Sequence, residues 1–115
     1  MNIELKASDA TANPYLAFAG LLAAGLDGIT HQLQPGDYCD VDPASLSDAE
    51  RAAKGIQRLP RTLGQAVEAF VADQLFQNLF GAQLVDAYAK IKREDDHYYG
   101  KLELEKIAAL HRELY

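Results

Sequence analysis

Hydrophobic residues form an unbroken run near the start of the chain, from Tyr15 to Leu26, where no charged residue occurs. Asn13 and Pro14 come directly before the run, and these residue types favour the cap and the first position of an α-helix. The pattern predicts a helix from about Pro14 to His31. Because such a helix has no polar face, it must be covered on all sides, a heavy demand on a chain of 115 residues. The run therefore suggests a piece of a larger protein.

Further along the chain, apolar residues recur at helical spacing behind recognisable helix starts. Ser47 with Glu50, and Thr62 with Gln65, match the capping-box pattern. The first box predicts a short helix that ends near Gly55, and the second opens a longer helix. A short apolar helix that stops near Gly81 is predicted from Leu75, Phe76, Leu79 and Phe80. The core face of the next helix is predicted to carry Leu84, Val85, Tyr88 and Ile91, and one side of the last helix carries Leu104, Ile107, Ala108 and His111.

The predicted fold is mainly α, with one short N-terminal strand over about residues 3–8 and then five or so helices. On that strand Glu4 and Lys6 lie two positions apart, so both side chains would point to the same face. Residues 32–61 are irregular and rich in Asp and Pro, and we interpret them as an exposed excursion. The chain is predicted to be a single partial domain over residues 1–115.

Composition and charge exclude several classes of protein. The net charge of −6 argues against a nucleic-acid partner, because phosphate contacts need clustered Lys and Arg. The uncharged run is about a dozen residues long, against roughly 20 for a membrane span, so no membrane partner is expected. Cys39 is the only cysteine, which excludes a disulfide framework and a thiolate metal cluster and fits a cytoplasmic location. No signal peptide is predicted, because charged residues interrupt the N-terminus.

Several segments follow one another in an order typical of one enzyme family. They are Ile3–Lys6 with Asp9, Asn13–Gly28, the turn Pro35–Gly36, Leu46–Glu50, Leu59–Ala66 and Leu84–Tyr88. In this order they closely resemble the C-terminal segment of the catalytic domain of glutamine synthetases, from residue 3 to about residue 95. The Asn13–Gly28 run is the most specific of them. The chain therefore resembles only the last part of such an enzyme, a fragment of an α/β catalytic domain.

The resemblance implies a ligase reaction in nitrogen metabolism and glutamine biosynthesis. In this family ATP phosphorylates the γ-carboxylate of glutamate, and ammonia or another amine then attacks the acyl phosphate, with Mg or Mn ions at the site. Glu4 is similar to a metal-ligand position, and Lys6 stands where the family usually has a substrate-binding arginine. Lysine keeps the charge but lacks the planar fork of arginine, so its grip on oxygens would be looser. The isolated chain is expected to bind no cofactor and to be inactive, because it offers one carboxylate of a composite site.

Other interpretations of the charged residues remain open at this point. Glu4 and Lys6 also fit a solvated pair near a frayed terminus. The acidic loop of Asp37, Asp40 and Asp42 fails the EF-hand spacing, and a solvated loop is the preferred interpretation. Consecutive residues fan out around a helix, so residues 95–97 (Asp-Asp-His) are interpreted as a charged helix face rather than a metal cluster.

Two functions from different classes follow from the sequence. The first is the C-terminal piece of a glutamine synthetase-like ATP-dependent glutamate–amine ligase, with the missing part of the ligase as its partner. The alternative is a non-enzymatic remnant that self-associates as a helical interaction module. In that case the exposed apolar helix would be covered by a second copy, giving a homo-oligomer, most simply a two-fold dimer.

Overall fold

A computed structural model describes residues 4–9 and 11–114 of the chain, and these are mainly helical, which confirms the predicted fold class. In chain order the α-helices are α1 (Pro14–Thr30), α2 (Asp48–Ala53), α3 (Leu63–Ala72), α4 (Gln74–Phe80), α5 (Ala82–Tyr99) and α6 (Leu104–Leu114), and a short 3-10 helix covers Pro43–Ser45. The chain divides into two compact units, Met1–Arg58 and Leu59–Tyr115, which are described separately below.

The predicted N-terminal strand over residues 3–8 is not confirmed. Ile3 lies outside the described residues, and the stretch from Glu4 to Ser8 has coil, turn and bend geometry. A strand needs a neighbouring strand to pair with its backbone groups, and no strand occurs among residues 4–9 and 11–114. This short segment therefore has no backbone partner in the part of the chain that the structure describes.

In the first unit, α1 begins and ends close to its predicted limits. The Asn13 side chain accepts hydrogen bonds from the backbone N–H groups of Tyr15 and Leu16, at 3.0 and 3.2 Å, and Pro14 occupies the first helical position. The helix ends at Thr30, and the backbone N–H of His31 bonds to the Asp27 carbonyl. No residue of α1 is buried, so the described part of the first unit does not supply the covering that its sequence requires.

The second half of the first unit is more ordered than its composition suggests. Within residues 32–61, the short 3-10 helix and α2 interrupt the irregular stretch. The capping box at the start of α2 is complete: the Ser47 hydroxyl accepts from the Glu50 backbone N–H, and the Glu50 carboxylate accepts from the Ser47 N–H at 2.8 Å. Gly55 follows α2 with φ of +67°, a conformation that favours glycine.

In the second unit, α3 begins at the predicted cap, but the box closes differently. The Thr62 hydroxyl accepts from the Gln65 backbone N–H at 3.2 Å, as predicted. The Gln65 side chain, however, accepts from the N–H of Arg61 at 2.9 Å, one residue before the cap. The Gln65 side chain therefore bonds to the residue before the cap, Arg61, rather than to the cap residue Thr62.

Helices α3, α4 and α5 pack together as the core of the second unit. Val67, Val85 and Ala89 are its buried residues among those described. Four aromatic rings of the same helices form a cluster: the Phe70 ring lies 5.6, 6.2 and 5.7 Å from those of Phe76, Phe80 and Tyr88, measured between ring centroids. Arg93 of α5 donates two hydrogen bonds, at 3.0 and 2.8 Å, to Glu68 of α3. Glu68 precedes Phe70 on α3, whereas its partner Arg93 follows Tyr88, the partner of Phe70, on α5. Helices α3 and α5 are therefore antiparallel.

The predicted inward faces of the last two helices need correction. On α5, Val85 is buried as predicted, but Leu84, Tyr88 and Ile91 are exposed, and Ala89, which was not predicted, is buried. On α6, Leu104 is exposed, whereas Ile107 and His111 are half-buried and the His111 ring lies 4.8 Å from that of Tyr99. The hydrophobic pattern favours large side chains, so it does not single out the small Ala89 as a core residue.

Candidate functional site

The two residues with the clearest predicted chemistry, Glu4 and Lys6, lie side by side in the structure. The Lys6 Nζ is 3.9 Å from a carboxylate oxygen of Glu4, and the two side chains are 83% and 70% exposed. They precede α1 on a non-regular segment that continues to Asp9. The Asp9 carboxylate accepts from the backbone N–H and hydroxyl of Thr11, and these bonds lower the pKa of Asp9.

As a metal site, this pair supplies one oxygen-bearing ligand and one competing cation. Hard divalent ions take six or more oxygen ligands, and no group of three or more His, Cys, Asp or Glu that could hold a metal ion occurs among the described residues. Among the described residues of this segment, Glu4 therefore offers one carboxylate and no complete metal site. Further ligands for a metal ion bound at this exposed carboxylate would have to come from outside the described part of the chain.

The acidic and histidine-containing stretch on α5 directs its side chains to different partners. The Asp95 carboxylate accepts from Lys92 at 2.8 Å, and His97 Nε2 lies 2.8 Å from Lys101 Nζ. The Asp96 carboxylate approaches the start of α3, since a Cβ added at Gly64 would lie 2.8 Å from its oxygen. This divergence agrees with the interpretation of a charged helix face.

Sequence reasoning missed Arg51, the only buried charged residue in the described part of the chain. Its guanidinium donates to the carbonyl oxygens of Pro43, at 3.1 Å, and Leu46, and to the carboxylate of Asp48. One side chain therefore joins the 3-10 helix, the loop after it and the start of α2. The only signal in the sequence is the Asp48–Arg51 pair at helical spacing, because the carbonyl acceptors cannot be read from residue types.

A groove of about 400 Å³, open to solvent, lies against this cluster and is lined by Asp48, Arg51, Ala52, Gly55, Ile56, Gln57 and Arg58. The hydrogen bond from Arg51, followed by its charge and that of Arg58, lowers the pKa of Asp48. Hydrogen bonds from Ser47 lower the pKa of Glu50. Both carboxyl groups therefore stay ionised to a lower pH than unpaired carboxyl groups would.

Helix α1 presents an apolar face to solvent. Tyr15, Phe18, Leu22, Leu26 and Ile29 are spaced three or four residues apart, and each is between 64% and 84% exposed. None of the described helices has the length and hydropathy needed to cross a membrane. The exposed face is thus an uncovered surface along four turns of an otherwise well-capped helix.

Comparison of the sequence with known proteins identifies the enzyme family to which it belongs. The family model described as "Glutamine synthetase, catalytic domain" matches residues 1–108. The chain therefore belongs to the glutamine synthetase catalytic-domain family, and its predicted correspondence to the C-terminal segment of that domain is confirmed.

Relatives from bacteria and archaea match most of the chain but only a small part of their own length. The gamma-glutamylpolyamine synthetase GlnA3 of Streptomyces coelicolor is 38% identical over 111 residues, covering 96% of this chain and 24% of that protein. The glutamine synthetase of Archaeoglobus fulgidus is 35% identical over 99 residues, or 86% and 20%. That of Pyrococcus furiosus is 41% identical over 86 residues, or 75% and 19%. The chain thus spans between 19% and 24% of these relatives.

Proposed function

We propose that this chain supplies the C-terminal part of the active domain of an ATP-dependent glutamate–amine ligase. In the assembled enzyme, Glu4 acts as one ligand of a Mg or Mn ion, and Lys6 holds substrate or phosphoryl oxygens. The observation that carries the proposal is the family match over residues 1–108, together with the exposed Glu4–Lys6 pair at the start of that match. The remaining ligands and the nucleotide pocket come from the rest of the ligase.

The charge arrangement supports separate tasks for the two side chains. A bound divalent ion would repel the Lys6 ammonium that now lies 3.9 Å from Glu4. Both side chains are largely exposed, so Lys6 is free to turn away from the metal and towards a substrate carboxylate or phosphate. The ion supplies charge neutralisation for phosphoryl transfer, and Glu4 and Lys6 supply positioning.

Under this proposal, the isolated chain is inactive and lies in the cytoplasm. Two classes of amine remain as acceptor substrates of the assembled ligase. The relatives include enzymes named for glutamine and one named for γ-glutamylpolyamine, so the acceptor is ammonia or a polyamine. One carboxylate and one ammonium cannot replace the missing ligands, so neither ATP nor metal is expected to bind the 115-residue chain productively.

The test is to join this chain to the remaining part of a ligase in a chimeric enzyme. The chain replaces the matching C-terminal segment of the Streptomyces coelicolor relative, and ATP-dependent γ-glutamyl ligation is measured with ammonia and with a polyamine. The chimera is expected to be active, and Glu4→Gln is expected to lower kcat by at least about 100-fold, as loss of one charge-stabilising contact does in other enzymes. Glu105→Gln on α6 is the matched control. Equal activity of both variants would contradict the role of Glu4.

A second function is supported by the exposed face of α1. As a self-standing module, the chain associates with a second copy through Tyr15, Phe18, Leu22, Leu26 and Ile29. These side chains carry no charge, so two copies can meet there without direct repulsion despite the net charge of −6 on each chain. This interaction needs no part of a ligase, which separates it from the first proposal.

A further inference from the structure

The segment that carries Glu4 and Lys6 joins α1 through a short hydrogen-bonded turn. Oxygen Oδ1 of the Asp9 carboxylate accepts from the backbone N–H of Thr11 at 2.7 Å and from the Thr11 hydroxyl at 2.8 Å. The backbone carbonyl of Asp9 accepts from the N–H of Ala12 at 3.1 Å. The side chain and the backbone of one residue therefore close the same turn.

This turn leads directly into the capped start of α1. The bonds of Asp9 span residues 9–12, and the next residue, Asn13, accepts from the N–H groups of Tyr15 and Leu16 at 3.0 and 3.2 Å. Hydrogen-bonded turns thus follow one another from Asp9 into the first turn of the helix. The helix gives the turn a regular, internally bonded base.

The carboxylate of Asp9 is chemically suited to hold this turn. The bonds from Thr11, the backbone bond first, lower the pKa of Asp9 below its ordinary value of 3.8, so the group is ionised at neutral pH. Hydrogen bonds to an ionised acceptor are stronger than those between neutral groups. Aspartate and asparagine both form turns of this kind, because their side chains reach the backbone two residues further along the chain.

Residues 4–8 depend on the turn for their position relative to α1. They have coil, turn and bend geometry, and the side chains of Glu4 and Lys6 are 70% and 83% exposed, so packing contributes little to their placement. Lys6 lies three residues before Asp9, which is at most about 11 Å along an extended chain. A change in the backbone angles at Asp9 therefore moves Glu4 and Lys6 together.

We propose that Asp9 is a positioning residue for the metal and substrate contacts of Glu4 and Lys6. The inference rests on the ligase function proposed above, and Asp9 acts through those two side chains rather than by contact with substrate or metal. By closing the turn, the Asp9 carboxylate sets the direction in which residues 4–6 extend from α1. Such placement matters because a displacement of about 1 Å costs a catalysed reaction about 100-fold in rate.

The test uses the chimeric ligase, with ligation measured over a range of Mg²⁺ concentrations. Asp9→Ala removes both bonds to Thr11 and is expected to raise the half-saturating Mg²⁺ concentration about ten-fold, the factor that corresponds to one hydrogen bond to a charged group. Asp9→Asn keeps an oxygen acceptor and should restore most of the affinity. Asp37→Ala removes an exposed aspartate elsewhere in the first unit and should leave the half-saturating concentration unchanged.

The Mg²⁺ dependence separates positioning from stability. A smaller amount of folded enzyme lowers the measured kcat but leaves the half-saturating Mg²⁺ concentration unchanged. Equal half-saturating concentrations in Asp9→Ala and Asp37→Ala would therefore overturn the role of Asp9, even if Asp9→Ala is the less active variant.

Glu4→Gln in the same chimera distinguishes this inference from the function on which it rests. An unchanged half-saturating Mg²⁺ concentration in Glu4→Gln would contradict the metal-ligand role of Glu4 and overturn both proposals. An increase in Glu4→Gln without an increase in Asp9→Ala would overturn the role of Asp9 alone.

A second measurement needs no active ligase. In the whole 15N-labelled chain, order parameters from relaxation report how rigidly each backbone amide is held. Asp9→Ala is expected to lower the order parameter of the Lys6 amide into the flexible range, below about 0.6, whereas Asp9→Asn should leave it unchanged. Far-UV circular dichroism checks that the helices are retained in both variants. A Lys6 amide that is as mobile in the wild type as in Asp9→Ala would overturn the proposal.

Discussion

At the scale of single residues, Arg51 is buried although it lies on the six-residue helix α2, whose other side chains face solvent. Its bonds to Pro43, Leu46 and Asp48 substitute for the hydrophobic core that this part of the chain lacks. A buried guanidinium is tolerated because its N–H groups have acceptors and its charge has a partner.

Replacing Arg51 with Ala is expected to loosen the segment around α2. The carbonyls of Pro43 and Leu46 lose their donor, and the free energy of local opening should fall by about 2 kcal/mol. Hydrogen exchange of the Ile56 amide, which bonds to the Arg51 carbonyl at 2.9 Å, reports this opening. Arg58→Ala removes an exposed guanidinium from the same unit and should have little effect on exchange; an equal effect would contradict the role of Arg51.

The lowered pKa of Glu50 makes the start of α2 sensitive to acid. A carboxyl whose folded pKa lies below its ordinary value of 4.5 stabilises the fold above that value, and this contribution is lost as the pH falls through the folded pKa. The Ser47 amide signal is therefore expected to titrate with a midpoint below 4.5. Glu50→Gln should abolish that transition, whereas a midpoint at or above 4.5 would contradict the capping arrangement.

The residue-level chemistry was predictable where it depended on neighbours in sequence. The caps at Asn13, Ser47 and Thr62 form between residues two or three apart, so residue type and spacing suffice. The burial of Arg51 depends on carbonyl groups of a folded loop, which no pattern of side chains encodes. The Gln65 side chain accepts from the N–H of Arg61 rather than from that of Thr62, a choice that spacing alone did not predict.

At the scale of elements, glycines define the ends of helices for two different reasons. Gly55 and Gly81 adopt positive φ, at +67° and +77°, where other residues are strained. Gly100 has an ordinary backbone conformation but lies against the carbonyl oxygen of Asp96, where a Cβ would come within 2.6 Å. A Cβ added at Gly25, inside α1, would meet nothing within 4 Å beyond its chain neighbours and the helix's own backbone.

The same substitution at two glycines is therefore predicted to act in opposite directions. Gly25→Ala should stabilise α1 by about 1 kcal/mol, because alanine favours a helix and meets no neighbour. Gly100→Ala should destabilise the end of α5 by about 2 kcal/mol, because its Cβ forces the backbone apart. Hydrogen exchange of amides in α1 and α5 measures both effects, and a stabilised α5 in Gly100→Ala would contradict the close approach.

Helix limits followed from local signals, whereas strand formation and core faces did not. Helices satisfy their own backbone groups, so caps and glycines near Pro14 and Gly81 sufficed to place their ends. A strand over residues 3–8 depends on a partner strand, and none occurs among the described residues. The predicted core face of α5 included Ile91, which is exposed, and omitted Ala89, which is buried.

At the scale of the whole molecule, the two units differ in how they bury their apolar residues. Val67, Val85 and Ala89 form a buried core in the second unit, whereas α1 in the first has no buried residue. The family match explains the contrast, because a segment spanning 19% to 24% of its relatives is expected to carry surfaces that the remaining polypeptide covers.

If a second copy of the chain covers the exposed face of α1, the isolated chain should form a dimer or a larger species. Light scattering during size-exclusion chromatography, over a series of concentrations, measures the mass directly. Leu22→Lys places a charge in the exposed face of α1 and should raise the dissociation constant at least about ten-fold. Ile91→Lys places the same charge at an exposed position of α5 and should leave the dissociation constant unchanged. A monomer at every concentration would contradict self-association.

The antiparallel packing of α3 and α5 has a consequence for the order of events in folding. The Arg93–Glu68 pair joins residues only 25 positions apart, and the aromatic cluster lies between them along the chain. Chains whose contacts are close in sequence fold on the order of microseconds to milliseconds. The second unit is therefore expected to reach its native arrangement early, before any slower assembly with the remainder of a ligase. A stopped-flow trace would show this as a fast phase that Leu22→Lys leaves unchanged.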